Sequence, residues 1–99
     1  MPSGSTIGAR EAEAHGLVTS VVAAEATVPA ALELAARIAA MPPVAVIAAK
    51  AAVNRAEELS LEAGLEFERR SFYLLFDTED QKEGMAAFAE KRRPTWKGR

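Results

Sequence analysis

Apolar residues recur at helical spacing through most of the chain, in segments separated by proline, glycine or a capping hydroxyl. From Thr27 to about Met41, the residues Leu34, Ile38 and Met41 form one stripe, with Glu33 and Arg37 on the opposite side. Thr27 suits an N-cap, and Pro29 falls in the first turn, where a missing N–H costs nothing. Pro42-Pro43 breaks this helix and can open the next, roughly Val44 to Glu58, with Val44, Ile47, Ala48 and Ala51 on one face. Ser60 then caps a third helix, Leu61 to about Phe76, whose Leu61, Leu65, Phe72, Leu75 and Phe76 keep the period. Its end, Phe72-Tyr73-Leu74-Leu75-Phe76, is apolar all round and calls for burial on more than one side. Thr78-x-x-Gln81 is a capping box for a last helix, with Glu79 and Asp80 at its positive end. Lys91, Arg92 and Arg93 lie at its negative end, and Pro94 is expected to stop it.

The first residues read differently. Residues 1–8 carry Pro2, Gly4 and Gly8 and predict an irregular entry. Ala9 to His15 can make two helical turns, with Gly16 as their stop. Leu17-Val18-Thr19-Ser20-Val21-Val22 is rich in β-formers and predicts one short strand. A lone strand is not stable, so this one expects a sheet or packed surface from elsewhere. The fold class expected is therefore mainly α with one short strand near the N-terminus. A first part, residues 1–26, holds the short helix and strand; a second, 27–99, holds the helices.

Composition sharpens this picture. Of the 99 residues 49% are hydrophobic, but alanine inflates that share, and there are only four Phe, one Trp and one Tyr. A chain of this size hides only about 60–70% of its unfolded surface. A core so thin in large side chains needs a partner, more of its own fold, or self-association. With 12 basic and 14 acidic residues the net charge is −2, which does not suit bulk nucleic-acid binding. The absence of cysteine excludes disulfides and thiolate metal sites. No stretch has about 18 consecutive apolar residues, and the first residues lack the pattern of a signal peptide, so no membrane is expected and the cytoplasm is the expected location.

Candidate chemistry is sparse. His15 is the only histidine and stands before a helix-ending glycine, where a capping or surface role is the simpler reading. No H-E-x-x-H, C-x-x-C or G-x-S-x-G is present, so neither a metal nor a catalytic triad is expected. The carboxylates Glu62, Glu66, Glu79, Asp80 and Glu83 read as solvated helix faces, because nothing forces two of them into a cleft. The last helix is more suggestive. Phe88 and Lys91 are i, i+3 neighbours, with Arg92 and Arg93 alongside, a set that could hold a planar base and phosphate oxygens. On residues alone the plainer reading is favoured: Phe88 as core with Met85, and the basic run as complement to the helix dipole.

Three blocks of the chain resemble the enoyl-CoA hydratase/isomerase (crotonase) family. Ser3-Gly4 with Ile7-Gly8-Ala9-Arg10-Glu11-Ala12 through Gly16-Leu17-Val18 is similar to that family's TG-x-x-I-x-A-x-EA-x-x-x-GLV passage. Ala49-Lys50-Ala51-Ala52-Val53-Asn54 resembles its AK-x-A-[VI]-N helix. Thr78-Glu79-Asp80-Gln81-Lys82-Glu83-Gly84-Met85 through Ala87-Phe88, Glu90-Lys91-Arg92 and Pro94 resembles its closing TEDQKEGM-x-AF-x-EKR-x-P-x-F segment. Trp96 stands where the family usually has Phe, and Asp77 where a small residue is common.

The resemblance implies a helical C-terminal assembly segment that follows a catalytic body of ββα units and drives trimer, commonly hexamer, formation. It implies that Phe88 and Lys91 contact the CoA part of an acyl-CoA thioester in a complete assembly, which reverses the plainer reading of those two residues. It implies no further cofactor and no catalytic residue in this chain. The backbone donors for the thioester oxygen and the catalytic glutamates belong to earlier segments of such proteins, so the chain alone is expected to be inactive. A stand-alone helical oligomerisation or interaction module is the alternative.

Overall fold

The structure is a computed structural model and describes residues 3–99. Five α-helices follow one another: α1 (Ala9–Ala14), α2 (Thr27–Ala39), α3 (Pro43–Ala56), α4 (Leu61–Leu75) and α5 (Glu79–Glu90), with a 3₁₀ turn at Ala24–Ala26. Contacts group the chain into two units, Met1–Ala35 and Ala36–Arg99. The mainly α expectation holds, but no strand occurs among the described residues. Leu17–Val22 is bend and irregular chain instead, with Leu17, Val18 and Val22 exposed. A strand is defined by the ladder it shares with a neighbour, and among the described residues this segment shares none.

In the first unit, α1 ends where glycine permits it. Gly16 stands at φ +75; its N–H donates to Glu13 O at 3.0 Å and the Leu17 N–H to Ala12 O at 2.9 Å. These two bonds are a Schellman closure, in which a left-handed residue lets the chain satisfy the last helical carbonyls. Ala12 is buried in this unit. Thr27 is already helical and so is not the N-cap; the 3₁₀ turn feeds into α2, and the Thr27 hydroxyl donates back to Ala23 O at 3.4 Å.

In the second unit, α3 packs on α4. Pro42 is the extended N-cap residue of α3 and Pro43 its first helical position, where a proline gives up no hydrogen bond. Ser60 caps α4, accepting from the Ala63 N–H at 3.3 Å. Along α4 the Arg70 guanidinium donates to Glu66, the pair expected at i, i+4, and the Arg55 guanidinium of α3 stands 5.7 Å from the centre of the Phe67 ring. Phe72 and Phe76 meet edge to face at 5.1 Å. The groove between α3 and α4 encloses about 430 Å³, lined by Ala48, Ala52, Leu61, Leu65, Phe72 and Leu75. Alanines on α3 let the helices approach but leave little apolar area to bury. Leu61 is 79% and Leu74 74% exposed, and the fully buried residues of this unit are Ala87 and Asp80 alone.

Candidate functional site

Thr78 organises the start of α5. Its hydroxyl donates to Leu75 O at 2.6 Å and accepts the Gln81 N–H at 3.1 Å, closing α4 and opening α5 with one side chain. Glu79, Asp80 and Glu83 were expected to be a solvated acidic face, and the structure corrects this for two of them. Asp80 is only 3% exposed. Its carboxylate accepts the Lys97 N–H at 2.7 Å and the Gly98 N–H at 2.9 Å, while its own N–H donates to Arg99 O at 3.0 Å. Glu83 accepts from Arg92 through both carboxylate oxygens, at 2.5 and 3.0 Å, and from the Thr95 N–H at 2.9 Å. The acids of α5 therefore bind the last residues of the chain back across their own helix. Glu79 stays exposed and meets Lys97 Nζ at 3.2 Å and Arg99 Nε at 3.4 Å.

The strapped tail carries Trp96 to the α2–α3 corner. Its indole N–H donates to Ala40 O at 2.7 Å, and its ring lies over Gly84, where a Cβ would meet Cη2 at 3.4 Å. Gly98, at φ +75, comes against Pro43. Local hydrogen bonding sets the charge states here. The Arg92 guanidinium and then the Thr95 N–H hold the Glu83 carboxyl down at about 2, from an ordinary 4.5, and Glu83 in turn raises Arg92. The hydrogen bond from Lys97 and then the charge of Arg99 lower Glu79.

The two residues singled out in the sequence stand at the other end of α5. Phe88 is 85% exposed and Met85 is exposed too, so the pair form no core in this chain. Lys91 lies just beyond the helix rather than on it: α5 ends at Glu90, and Lys91 turns left-handed at φ +55, ψ 38. Lys91, not Pro94, stops the helix. The Lys91 N–H donates to Phe88 O at 3.3 Å and the Arg92 N–H to Ala87 O at 3.0 Å, the same Schellman closure that ends α1. An exposed aromatic ring and a lysine at a fixed backbone turn thus share one end of the helix. The α3–α4 groove is an apolar alternative, but Ser60, Ser71 and Glu68 are the polar groups among its lining residues, and it offers no cation to a phosphate. The end of α5 is the better candidate on chemistry.

All 99 residues match the family described as enoyl-CoA hydratase/isomerase. The chain belongs to the enoyl-CoA hydratase/isomerase family. It is 49% identical over 94 residues to "Probable enoyl-CoA hydratase, mitochondrial" of Dictyostelium discoideum, covering 95% of this chain and 34% of that protein. Against "Probable enoyl-CoA hydratase" of Rhizobium meliloti it is 52% identical over 97 residues, with 98% and 38% covered. Against the 2,3-dehydroadipyl-CoA hydratase of Escherichia coli identity is 45% over 97 residues, again with 98% and 38% covered.

Solved structures agree. The enoyl-CoA hydratase subunit I of Geobacillus kaustophilus superposes with a TM-score of 0.91 at 47% identity, over 98% of this chain and 38% of that one. The Bacillus anthracis enoyl-CoA hydratase gives 0.86 at 38% identity, over 92% and 35%. The chain spans less than two fifths of the length of these hydratases. The helices described here thus match a partial segment of the crotonase fold.

Reasoning from sequence missed the tail strap. Asp80, Glu83 and Trp96 showed no periodic signal, because their partners are backbone N–H groups and a carbonyl, which carry no residue identity. The only hint was the closing family block, in which acids precede a basic, aromatic-bearing tail.

Proposed function

We propose that this chain is the C-terminal helical segment of an enoyl-CoA hydratase-like protein, supplying subunit contacts and part of the CoA pocket. The reaction is the hydration of a 2-enoyl-CoA thioester, in which water adds its hydroxyl to C3 and a proton to C2, a step of fatty acid metabolism in the cytoplasm. No bond-making role falls to residues of this chain, and the chain alone is inactive. Phe88 lies against the CoA base and Lys91 meets a phosphate oxygen, each only once the segment is in a complete assembly.

The observation that carries this reading is the uncovered apolar surface. On α4 Leu61, Leu65, Phe72, Tyr73 and Leu74 are each more than half exposed, and Phe76 just beyond it is half exposed, a row of large apolar side chains that marks a surface made to be covered. It supports contact with the rest of a hydratase and with further subunits, as trimer or hexamer. Under the alternative of a stand-alone helical module, the same surface would be closed by copies of this chain alone.

The test places this chain in the Rhizobium meliloti relative in exchange for its matched 97 residues. The exchanged protein is expected to assemble as a trimer or hexamer in sedimentation and to hydrate crotonyl-CoA, followed by loss of the conjugated thioester absorbance. The 99-residue chain is expected to show no hydration. An exchanged protein that neither assembles nor turns over, beside a chain that forms discrete homo-oligomers by itself, would establish the stand-alone module instead.

A further inference from the structure

Lys91 is the only residue with a side chain beyond glycine to stand at positive φ among the described residues; the others are Gly4, Gly16 and Gly98. The comparison with α1 is direct. Both helices end in the same pair of backbone bonds, but α1 makes the turn with Gly16 and α5 makes it with a lysine. Left-handed backbone crowds a Cβ against the following carbonyl, so a lysine there is held by its surroundings rather than by its own preference. The surroundings that hold it are visible. Glu83, two turns back along α5, takes both prongs of the Arg92 guanidinium and the Thr95 N–H, and Arg92 Nε also reaches Glu90 at 2.6 Å. The residue after Lys91 and the one four after it are thereby tied to the body of α5.

We infer that Glu83 is a positioning residue for Lys91: gripping Arg92 and Thr95, it holds the left-handed turn that sets where the Lys91 ammonium meets a CoA phosphate. This rests on the proposed CoA contact and names the group that makes that contact reproducible. A bidentate carboxylate–guanidinium pair suits the task because its two parallel bonds fix orientation as well as distance. Glu83 is half-buried, with a quarter of its side chain exposed, and it remains charged throughout the neutral range. A lysine on a loose turn would first have to be ordered when ligand arrives, and that ordering weakens binding.

The experiment is a double-mutant cycle in the exchanged assembly, read as KM and kcat for crotonyl-CoA. Lys91→Ala is expected to raise KM about tenfold, the worth of one charge-assisted hydrogen bond. Glu83→Gln, which keeps an acceptor for Thr95 but loses the charge on Arg92, is expected to raise KM about fivefold. In the Lys91→Ala background Glu83→Gln is expected to add nothing, because it acts through the missing ammonium. Arg92→Lys serves as the second variant if Glu83→Gln fails to assemble, with the same expected non-additivity. Should Lys91→Ala leave KM unchanged, the CoA reading fails and the inference with it. Should Lys91→Ala raise KM while Glu83→Gln does nothing, or while the two effects add in full, the CoA reading stands and the positioning role of Glu83 is refuted.

Discussion

Replacing Asp80 with alanine removes the buried anchor of the tail while leaving its other contacts in place. The carboxylate accepts two backbone N–H groups, from Lys97 and Gly98, at 2.7 and 2.9 Å. Hydrogen bonds to a charged acceptor contribute about 1.5–3 kcal/mol each, but the freed N–H groups regain water once the tail lifts, so the two do not sum. A loss of about 2–3 kcal/mol in tail docking is expected, equivalent to a shift of roughly 30- to 150-fold in the docked-to-lifted ratio. What remains is the Trp96–Ala40 bond at 2.7 Å, the backbone bond from the residue 80 N–H to Arg99 O at 3.0 Å, the Glu83 bonds to Arg92 and the Thr95 N–H nearer the helix, and the exposed pairs of Glu79 with Lys97 and Arg99. Exposed pairs add at most about 1 kcal/mol, so they cannot compensate. Trp96 is the only tryptophan and sits in the strap, so its emission reports docking directly. Asp80→Ala is expected to shift that emission to the red and to raise its quenching by iodide, with far-ultraviolet ellipticity little changed. Asp80→Asn keeps one acceptor oxygen and is expected to fall between. An Asp80→Ala protein with native emission and native quenching would refute the argument, and would place the anchoring of the tail in Trp96 and Gly98.

Two other outcomes follow from the same geometry. Gly84→Ala removes a helix-weakening glycine, worth about 1 kcal/mol, and its Cβ would meet the Trp96 ring at 3.4 Å, an ordinary contact; the melting temperature is expected to rise, and a fall would mean the tail cannot yield there. The Glu83 carboxyl is lowered to about 2 from 4.5, so its ionised form is favoured by folding and its contribution is present above pH 4.5. That contribution is lost as pH falls from 4.5 toward 2, so the stability gap between wild type and Glu83→Gln is expected to close over that range in pH-dependent thermal melts; a gap that stays constant would contradict it.

Much of the secondary structure was legible because it depends on neighbours along the chain. Ser60 and Thr78 cap the helices they were expected to cap, since a hydroxyl three residues before an amide needs no distant partner. Gly16 stops α1 for the same local reason. The strand at Leu17–Val22 failed because β-propensity describes fit to a sheet, and the described residues provide none. At the candidate site, helical spacing brought Phe88 and Lys91 together as i, i+3 neighbours, and only the family block favoured a ligand over a core role for them. Periodicity had placed Phe88 in a core, whereas its ring is open.

Residue pattern along the chain was enough for the helices, the caps at Ser60 and Thr78 and the family, because helical period, capping spacing and a shared closing block are all local patterns of residue type. Tertiary structure alone decided what the acids of α5 do. Asp80 and Glu83 bind backbone N–H groups of Lys97, Gly98 and Thr95, and Trp96 binds the Ala40 carbonyl 56 residues away. Every residue but proline offers the same N–H and every residue the same carbonyl, so no pattern of side chains announces such a bond. It exists only once the chain has folded back to present those groups.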